Sequence, residues 1–225
     1  MNIHRFNWGI DFIILNNLWR KYQNHTMINK RRYIDNLALA RFYVKKHKLH
    51  DYSIIECGTW RGGVSFGLVD ACPKVSEFHF FDSYEGLPDA GEFDGDKAIN
   101  EQNSDELWHN NNSADYDSFM SDIKKFQLSN RNITVHKGWF DDTLPKFTSD
   151  RDIGILRLDG DWYDSTMSIL NNLFDRVVPG GLILIDDYYD WEGCSKAIHD
   201  FLSARKLSEN IRQSHPGGVA YIIKN

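Results

Sequence analysis

The sequence is poor in cysteine, in long apolar runs and in positive charge, and each shortage argues against a class of protein. Its three cysteines form no CxxC pair, which disfavours a disulfide scaffold or a cysteine-rich zinc site and favours a reducing compartment. No run approaches the roughly 20 apolar residues of a membrane span. The early apolar run at residues 12–15 is too short for a signal peptide. We therefore expect a cytoplasmic protein with no membrane partner.

Acidic residues outnumber basic ones, 32 against 26, which gives 225 residues a formal net charge of −6. This balance disfavours a nucleic acid or an anionic membrane held by bulk charge, and it favours a small molecule or a cation as partner. With 41% hydrophobic and 26% charged residues, the composition is that of a folded chain. The length fits one domain with a short appendage.

Short apolar runs rich in β-branched residues alternate with longer amphipathic segments, as in βαβ units and a parallel sheet. The predicted strands are Tyr52–Glu56, Glu77–Phe81, Asn132–His136, Ile153–Asp159 and Gly181–Ile185. Pro179-Gly180-Gly181 is expected to end the helix before the last of these. Residues 211–214 and 219–223 flank a Pro/Gly turn and predict a closing antiparallel hairpin. The pattern indicates an α/β fold whose mostly parallel sheet has helices on both faces.

Two segments lie outside this alternation. Residues 1–30 carry scattered aromatic residues and predict an N-terminal helical cap, which packs on the core, acts as a lid or pairs with a second copy of the chain. Residues 31–225 then form the main domain. Residues 86–116 are rich in Gly, Asp, Glu and Asn, and predict an insertion that is either a lid over a binding site or a solvated loop.

The ends of the first two predicted strands favour a cofactor that contains adenosine. In parallel α/β sheets, ligands bind beyond the carboxyl ends of the strands. Glycines at 58, 62 and 63 allow close backbone approach there, although the pattern is not GxGxxG and tight strand–helix packing is an alternative reason for them. Asp82 ends the second strand 26 residues after Glu56, where an acid accepts hydrogen bonds from a ribose diol or caps a helix.

Four carboxylates follow two later strands, namely those of Asp159, Asp161, Asp186 and Asp187. The spacing of 27 residues between the two pairs fits strand, helix and adjacent strand, so we expect the pairs to be neighbours. Like charges brought together in a cleft require a compensating cation or proton. Oxygen ligands select Mg²⁺, or Mn²⁺ or Ca²⁺, over zinc. The alternative is that two of these acids merely cap the helices that follow.

These motifs together resemble the macrocin O-methyltransferase family, whose members use S-adenosylmethionine to methylate sugar hydroxyls in natural products. The resemblance is carried by ECGTWRGG (56–63), DSYEGLP (82–88), GWFDDTLP (138–145), LRLDGDWYDST (156–166), PGG (179–181), DDY (186–188) and WEGC (191–194). It extends from about residue 50 to the C-terminus. It implies a class I methyltransferase (Rossmann-like) fold with a seven-stranded sheet, and a sugar or glycoside hydroxyl as the acceptor.

The resemblance also implies roles for individual residues. S-adenosylmethionine would be held by Glu56, Gly58, Thr59, Trp60, Arg61, Gly62, Asp82, Ser83, Gly138, Trp139, Phe140 and Asp159. Mg²⁺ would be bound by Asp159, Asp186 and Asp187, and Asp161 would be the general base. Residues 1–30 and 91–112 show little that aligns with the family, so its macrolide and aminocoumarin acceptors are not carried over.

Two other functions remain as alternatives. Asp159-Gly160-Asp161 matches the DxD motif of metal-dependent nucleotide-sugar glycosyltransferases, but that function leaves residues 56–63 and the pair at 186–187 without a role. A methyltransferase fold that has lost activity and serves only for binding is the second. The intact set of four carboxylates argues against it, because a repulsive cluster without a function has no reason to persist.

Overall fold

The structure is a computed structural model that describes residues 8–104 and 111–225. Its seven-stranded sheet has the order β3-β2-β1-β4-β5-β7-β6. The strands are β1 (Ser53–Cys57), β2 (Glu77–Asp82), β3 (Ile133–Lys137), β4 (Ile153–Leu158), β5 (Val177–Ile185), β6 (Arg212–Gln213) and β7 (Ala220–Ile223). Strands β1 to β5 are parallel to one another, whereas β7 runs antiparallel to both β5 and β6. The predicted fold class, including the closing hairpin, is confirmed.

Helices connect the strands and cover both faces of the sheet. They are α1 (Trp8–Tyr22), α2 (Lys30–Lys46), α3 (Gly63–Ala71), α4 (Gly95–Ser104), α5 (Tyr116–Lys125), α6 (Phe140–Thr143), α7 (Tyr163–Leu173) and α8 (Glu192–Ala204). Short 3-10 turns occupy Gln23–His25, Leu49–Asp51, Glu92–Asp94, Leu144–Lys146, Phe174–Arg176 and Asp187–Tyr189. Among the described residues, no helix combines the length and the apolar character needed to cross a membrane.

Alternating residues of the central strands supply two separate cores, one on each face of the sheet. Ile54 packs with side chains of α1, α2, α3 and α5, whereas its neighbour Ile55 packs with those of α7 and α8. Both are buried, because helices cover both faces. The near-continuous apolar runs in β1, β4 and β5 follow from this arrangement.

The structure describes most of the N-terminal segment (1–30) and most of the insertion (86–116). Helix α1 buries Leu15, Leu18 and Tyr22 against the first core and leaves Phe12 and Ile13 exposed. The insertion contains the turn Glu92–Asp94 and helix α4. Residues 105–110, with Trp108, lie outside the described residues.

Strand β5 begins earlier than predicted. It starts at Val177 and includes Pro179-Gly180-Gly181, while α7 has already ended at Leu173. Gly180 has a φ of +79°, and the pairing with β4 shifts register between Ile153 and Ile155. A glycine with positive φ therefore forms an irregularity inside the strand, and not the stop that ends the helix.

Candidate active site

A glycine-rich turn follows β1 where the strand order reverses, because β2 and β4 lie on opposite sides of β1. Gly58 has a φ of +89°, and a Cβ at this position would lie 1.7 Å from the carbonyl oxygen of Asp159. Its N–H donates to the Phe81 carbonyl at 2.8 Å. Only glycine allows the ends of β1 and β4 to approach this closely.

Asp82, at the end of β2, holds the turn in place. Its Oδ2 accepts hydrogen bonds from the backbone N–H groups of Thr59 at 2.7 Å and Trp60 at 2.8 Å. Its Oδ1 accepts from the backbone N–H of Tyr84 at 2.7 Å. Burial raises the pKa of Asp82, and these hydrogen bonds oppose the rise. They also support the left-handed backbone of Trp60, with φ +47°, so the carboxylate positions the turn as well as facing the space beside it.

A cleft of about 330 Å³ opens at the carboxyl ends of the parallel strands. Such a volume suits a small-molecule ligand. The predicted site residues that line it are Gly58, Trp60, Asp82, Ser83, Trp139, Phe140, Asp159 and Asp161. The other lining residues include Met27 of the N-terminal segment, Pro88, Asp94 and Asn112 of the insertion, Asp141 of α6, Gly160 after β4, and Trp162 and Asp164 around the start of α7.

Other predicted site residues lie outside the lining of this cleft: Glu56, Thr59, Arg61, Gly62, Gly138, Asp186 and Asp187. Glu56 is 1% exposed and accepts hydrogen bonds from Ser65 and Arg157, so its carboxylate supports the turn from behind. The exposed Arg61 stacks on Trp60 with its guanidinium carbon 4.3 Å from the ring centre, and faces a neighbouring cavity. The structure thus separates residues that reach the cleft from those that shape it.

Three carboxylates converge beside the cleft: Asp159, Asp161 and Asp187 each offer an oxygen, and the three oxygens lie within 4.8 Å of one another. Burial raises the pKa of Asp161 and of Asp187, and the neighbouring carboxylates raise both further. Burial also raises the pKa of Asp159, against the opposing effect of Arg157. Three hard oxygen donors that repel one another fit a small divalent cation such as Mg²⁺. This set contains Asp161, which was predicted as the base, and not Asp186, which was predicted as a ligand.

Asp186 instead belongs to a buried ion-pair cluster around Arg157. The Arg157 Nη2 lies 2.9 Å from Asp186 Oδ1, at an angle that does not make a hydrogen bond. The Nη1 of the same guanidinium donates to Asp159 Oδ2 at 2.6 Å and to Glu56 Oε1 at 2.7 Å. Arg157 is 1% exposed. A single buried cation therefore links the carboxyl ends of β1, β4 and β5.

Sequence reasoning missed Asp94, in the insertion, as a residue of the cleft. Its Oδ1 accepts a hydrogen bond from the backbone N–H of Tyr163 at 2.6 Å, at the start of α7. Its Oδ2 accepts from the Gly91 N–H at 2.7 Å. The indole N–H of Trp162 donates to the Pro88 carbonyl at 2.9 Å. These bonds fix the first part of the insertion as a wall of the cleft. No local pattern signals them, because Asp94 and Tyr163 are 69 residues apart.

Comparisons with known proteins agree with this geometry. Residues 17–222 match the family described as macrocin-O-methyltransferase (TylF). The chain is 32% identical over 206 residues to 8-demethyl-8-(2,3-dimethoxy-alpha-L-rhamnosyl)-tetracenomycin-C 4'-O-methyltransferase of Streptomyces olivaceus, covering 87% of this chain and 74% of that protein. It is 28% identical to mycinamicin III 3''-O-methyltransferase of Micromonospora griseorubida, covering 87% of this chain and 77% of that protein. The solved structure of the O-methyltransferase NovP superposes with a TM-score of 0.73 at 26% identity, covering 89% of this chain and 82% of that chain.

Proposed function

The chain belongs to the macrocin-O-methyltransferase family, and from this premise we propose that its cleft methylates a glycoside hydroxyl in a magnesium-dependent reaction. It is an S-adenosylmethionine-dependent O-methyltransferase. One observation carries the finer proposal. The glycine turn of β1 and the carboxylate cluster meet at one place, since Gly58 packs on the backbone of Asp159 and both line the same cleft.

The turn and the aromatic residues beside it would hold S-adenosylmethionine, which supplies a methyl group activated by its sulfonium. Gly58 leaves room for close approach of the methionine part. Asp82 faces the cleft with a carboxylate suited to ribose hydroxyls. Trp139 and Phe140 offer aromatic rings on which an adenine would stack.

The acidic residues would then prepare the acceptor. Bound S-adenosylmethionine would supply its methyl group to the acceptor hydroxyl and leave as S-adenosylhomocysteine, and Asp161 would take up the hydroxyl proton. Burial and the neighbouring carboxylates raise the pKa of Asp161, and a carboxylate with a raised pKa takes up a proton more readily. Asp159 and Asp187 would hold Mg²⁺, which when bound stabilises negative charge on nearby oxygen atoms. Holding the two reactants in line contributes much of the remaining acceleration.

Binding calorimetry tests the cofactor and the metal separately. We expect S-adenosylmethionine and S-adenosylhomocysteine to bind the full chain with or without chelator, and Mg²⁺ to bind the metal-free protein. Uridine diphosphate serves as the control, because a glycosyltransferase that used Asp159-Gly160-Asp161 would bind it with the metal. Absence of heat with both methionine derivatives under every condition would contradict the proposed function.

The negative charge of the cleft restricts the class of acceptor that it can bind. Seven of its lining residues are aspartates: Asp82, Asp89, Asp94, Asp141, Asp159, Asp161 and Asp164. Among the described residues that line it, none is lysine or arginine. Apart from the proposed Mg²⁺, a phosphate or diphosphate group would meet like charge at close range, with no basic side chain among the described lining residues to pair with it. We propose a neutral or positively charged glycoside as the acceptor, and not a sugar phosphate or a nucleotide sugar.

A matched pair of acceptors checks this charge preference. We expect kcat/KM for a neutral rhamnoside to exceed that for the nucleoside diphosphate ester of rhamnose by about tenfold or more, since like charges in contact cost several kcal/mol. Methyl transfer is followed by mass spectrometry at fixed Mg²⁺. The same comparison is repeated at high salt, where the difference is expected to shrink. A higher kcat/KM for the nucleotide ester would contradict the acceptor class while leaving the methyltransferase activity intact.

A further inference from the structure

Arg157 is the basic residue of the otherwise apolar strand β4. Its guanidinium is almost fully buried behind the carboxylate cluster. We infer that Arg157 is a positioning residue that leaves Asp159 a single oxygen for a cation and thereby favours Mg²⁺ over Ca²⁺. The inference rests on the proposed metal site. It concerns how that site chooses between two hard cations, which share the same ligand chemistry.

Protein donors already occupy one oxygen on each of two cluster carboxylates. Arg157 Nη1 holds Asp159 Oδ2 at 2.6 Å. The backbone N–H of Asp161 donates to Asp187 Oδ2 at 3.1 Å. These bonds leave Oδ1 of Asp159 and Oδ1 of Asp187 as the oxygens that can bind a cation. A cation bound by both oxygens of Asp159 would lie beside the guanidinium that holds Oδ2, and the two positive charges would repel each other.

The guanidinium itself is fixed on several sides. Its Nη1 also donates to Glu56 Oε1 at 2.7 Å, and Glu56 is its direct partner in the pairing of β1 with β4. Its Nε donates to Asn36 Oδ1 of α2 at 3.4 Å, and Asp186 lies against Nη2. An arginine can serve these groups together because its donors form a rigid planar fork. Arg157 therefore cannot follow Asp159 if that carboxylate rotates.

The two cations differ in what they need from a carboxylate. Ca²⁺ takes six to eight oxygens and readily accepts bidentate carboxylates, whereas Mg²⁺ requires six in near-octahedral geometry and keeps several waters. A cluster whose carboxylates each present one oxygen suits Mg²⁺ better than Ca²⁺. Loss of the bond from Arg157 to Asp159 would free the second oxygen, and this change favours Ca²⁺.

Arg157→Lys tests the inference, because lysine keeps the positive charge but has one terminal nitrogen, and cannot contact Asp159, Asn36 and Asp186 together as Nη1, Nε and Nη2 do. Calorimetric titration of the metal-free full chain with Mg²⁺ and with Ca²⁺ gives an affinity ratio for each variant. We expect Mg²⁺ affinity to fall about tenfold or more, as for loss of a group that orients a ligand, and Ca²⁺ affinity to fall much less. Arg205→Lys is the matched control, since it makes the same substitution in an exposed ion pair with Asp175, and its Mg²⁺-to-Ca²⁺ affinity ratio is expected to match the wild type.

The outcomes separate this inference from the proposed function. A wild-type protein that binds neither cation would disprove the metal site itself. Tight Mg²⁺ binding by the wild type with an unchanged ratio in Arg157→Lys would overturn the role of Arg157 and leave the site standing. If Arg157→Lys does not fold, Asn36→Ala loosens the guanidinium without removing a charge. We expect the ratio of Mg²⁺ to Ca²⁺ affinity to fall less in Asn36→Ala than in Arg157→Lys. An unchanged ratio in Asn36→Ala counts against the inference.

Discussion

Asp187→Ala is expected to lower kcat by about a thousandfold or more while S-adenosylmethionine affinity changes little. A fall in kcat of this size is expected because the variant loses a cation that supplies several kcal/mol of charge stabilisation in the transition state. Asp187 contributes an oxygen to the carboxylate cluster but is not among the residues that line the cleft. Metal binding and cofactor binding should therefore separate in this variant. Initial rates, together with calorimetry of the cofactor and of Mg²⁺, provide the measurement.

Two companion variants show what the alanine result means. Asp187→Asn keeps an oxygen that accepts the hydrogen bond from the Asp161 N–H, so it removes the charge alone. It should lose nearly as much activity as the alanine variant. Asp175→Asn removes one acidic charge from an exposed ion pair with Arg205 and should retain wild-type rates. If Asp187→Ala turns over at the wild-type rate, Asp187 is not a ligand of a catalytic cation.

Asp187→Asn should leave the stability of the metal-free protein at neutral pH unchanged or higher. Burial and the neighbouring carboxylates raise the pKa of Asp187 in the folded state. A raised carboxyl pKa means that stability falls as the pH rises from the ordinary carboxyl range through the folded pKa. Neutral pH lies above the ordinary carboxyl range, so at least part of this loss is present there, and Asp187→Asn should match or exceed the wild-type melting temperature with chelator present. Added Mg²⁺ should raise the wild-type value and have a smaller effect on the variant.

The fold was predictable because its determinants are local and periodic. The β-branched runs, the turn residues and the Pro/Gly turn near the C-terminus indicate the strands without reference to the rest of the chain. The cluster was predictable in part, since Asp159 and Asp187 follow adjacent parallel strands. Spacing does not determine which way each carboxylate turns. That depends on Arg157, which in the sequence is only a polar residue inside an apolar strand, and on the left-handed backbone of Asp161, with φ +56°.

The wall of the cleft could not be predicted, because it forms through contacts between distant parts of the chain. Asp94 caps α7 from a segment whose composition is that of a loop. Gly193, at the start of α8, lets it approach, since a Cβ there would lie 1.9 Å from Asp94 Oδ1. Asp94 belongs to no motif, and the WEGC motif that contains Gly193 does not indicate what this glycine contacts. Only the packed structure relates them.

Asp161→Asn is expected to lower kcat by about 10²- to 10⁴-fold, the contribution of a general base, with a much smaller effect on Mg²⁺ affinity. Asp161 lines the cleft, and its carboxylate accepts a hydrogen bond from the side chain of Trp191. Asparagine preserves the size of the side chain but cannot take a proton. Rates across a range of pH, with parallel Mg²⁺ titrations, measure the two effects.

The comparison with Asp186→Asn decides between the two assignments of these acids. The family resemblance assigns Asp186 as a ligand and Asp161 as the base, whereas the structure brings Asp161 into the cluster and leaves Asp186 beside Arg157. If Asp161 is the base, its variant loses rate and keeps Mg²⁺, and the loss is greatest where the wild-type carboxylate is ionised. Equal losses of rate and Mg²⁺ affinity in Asp161→Asn, with normal Mg²⁺ binding in Asp186→Asn, would make Asp161 the third ligand. The proton would then have to leave through another carboxylate of the cleft, and Asp164, at the start of α7, is the first to test.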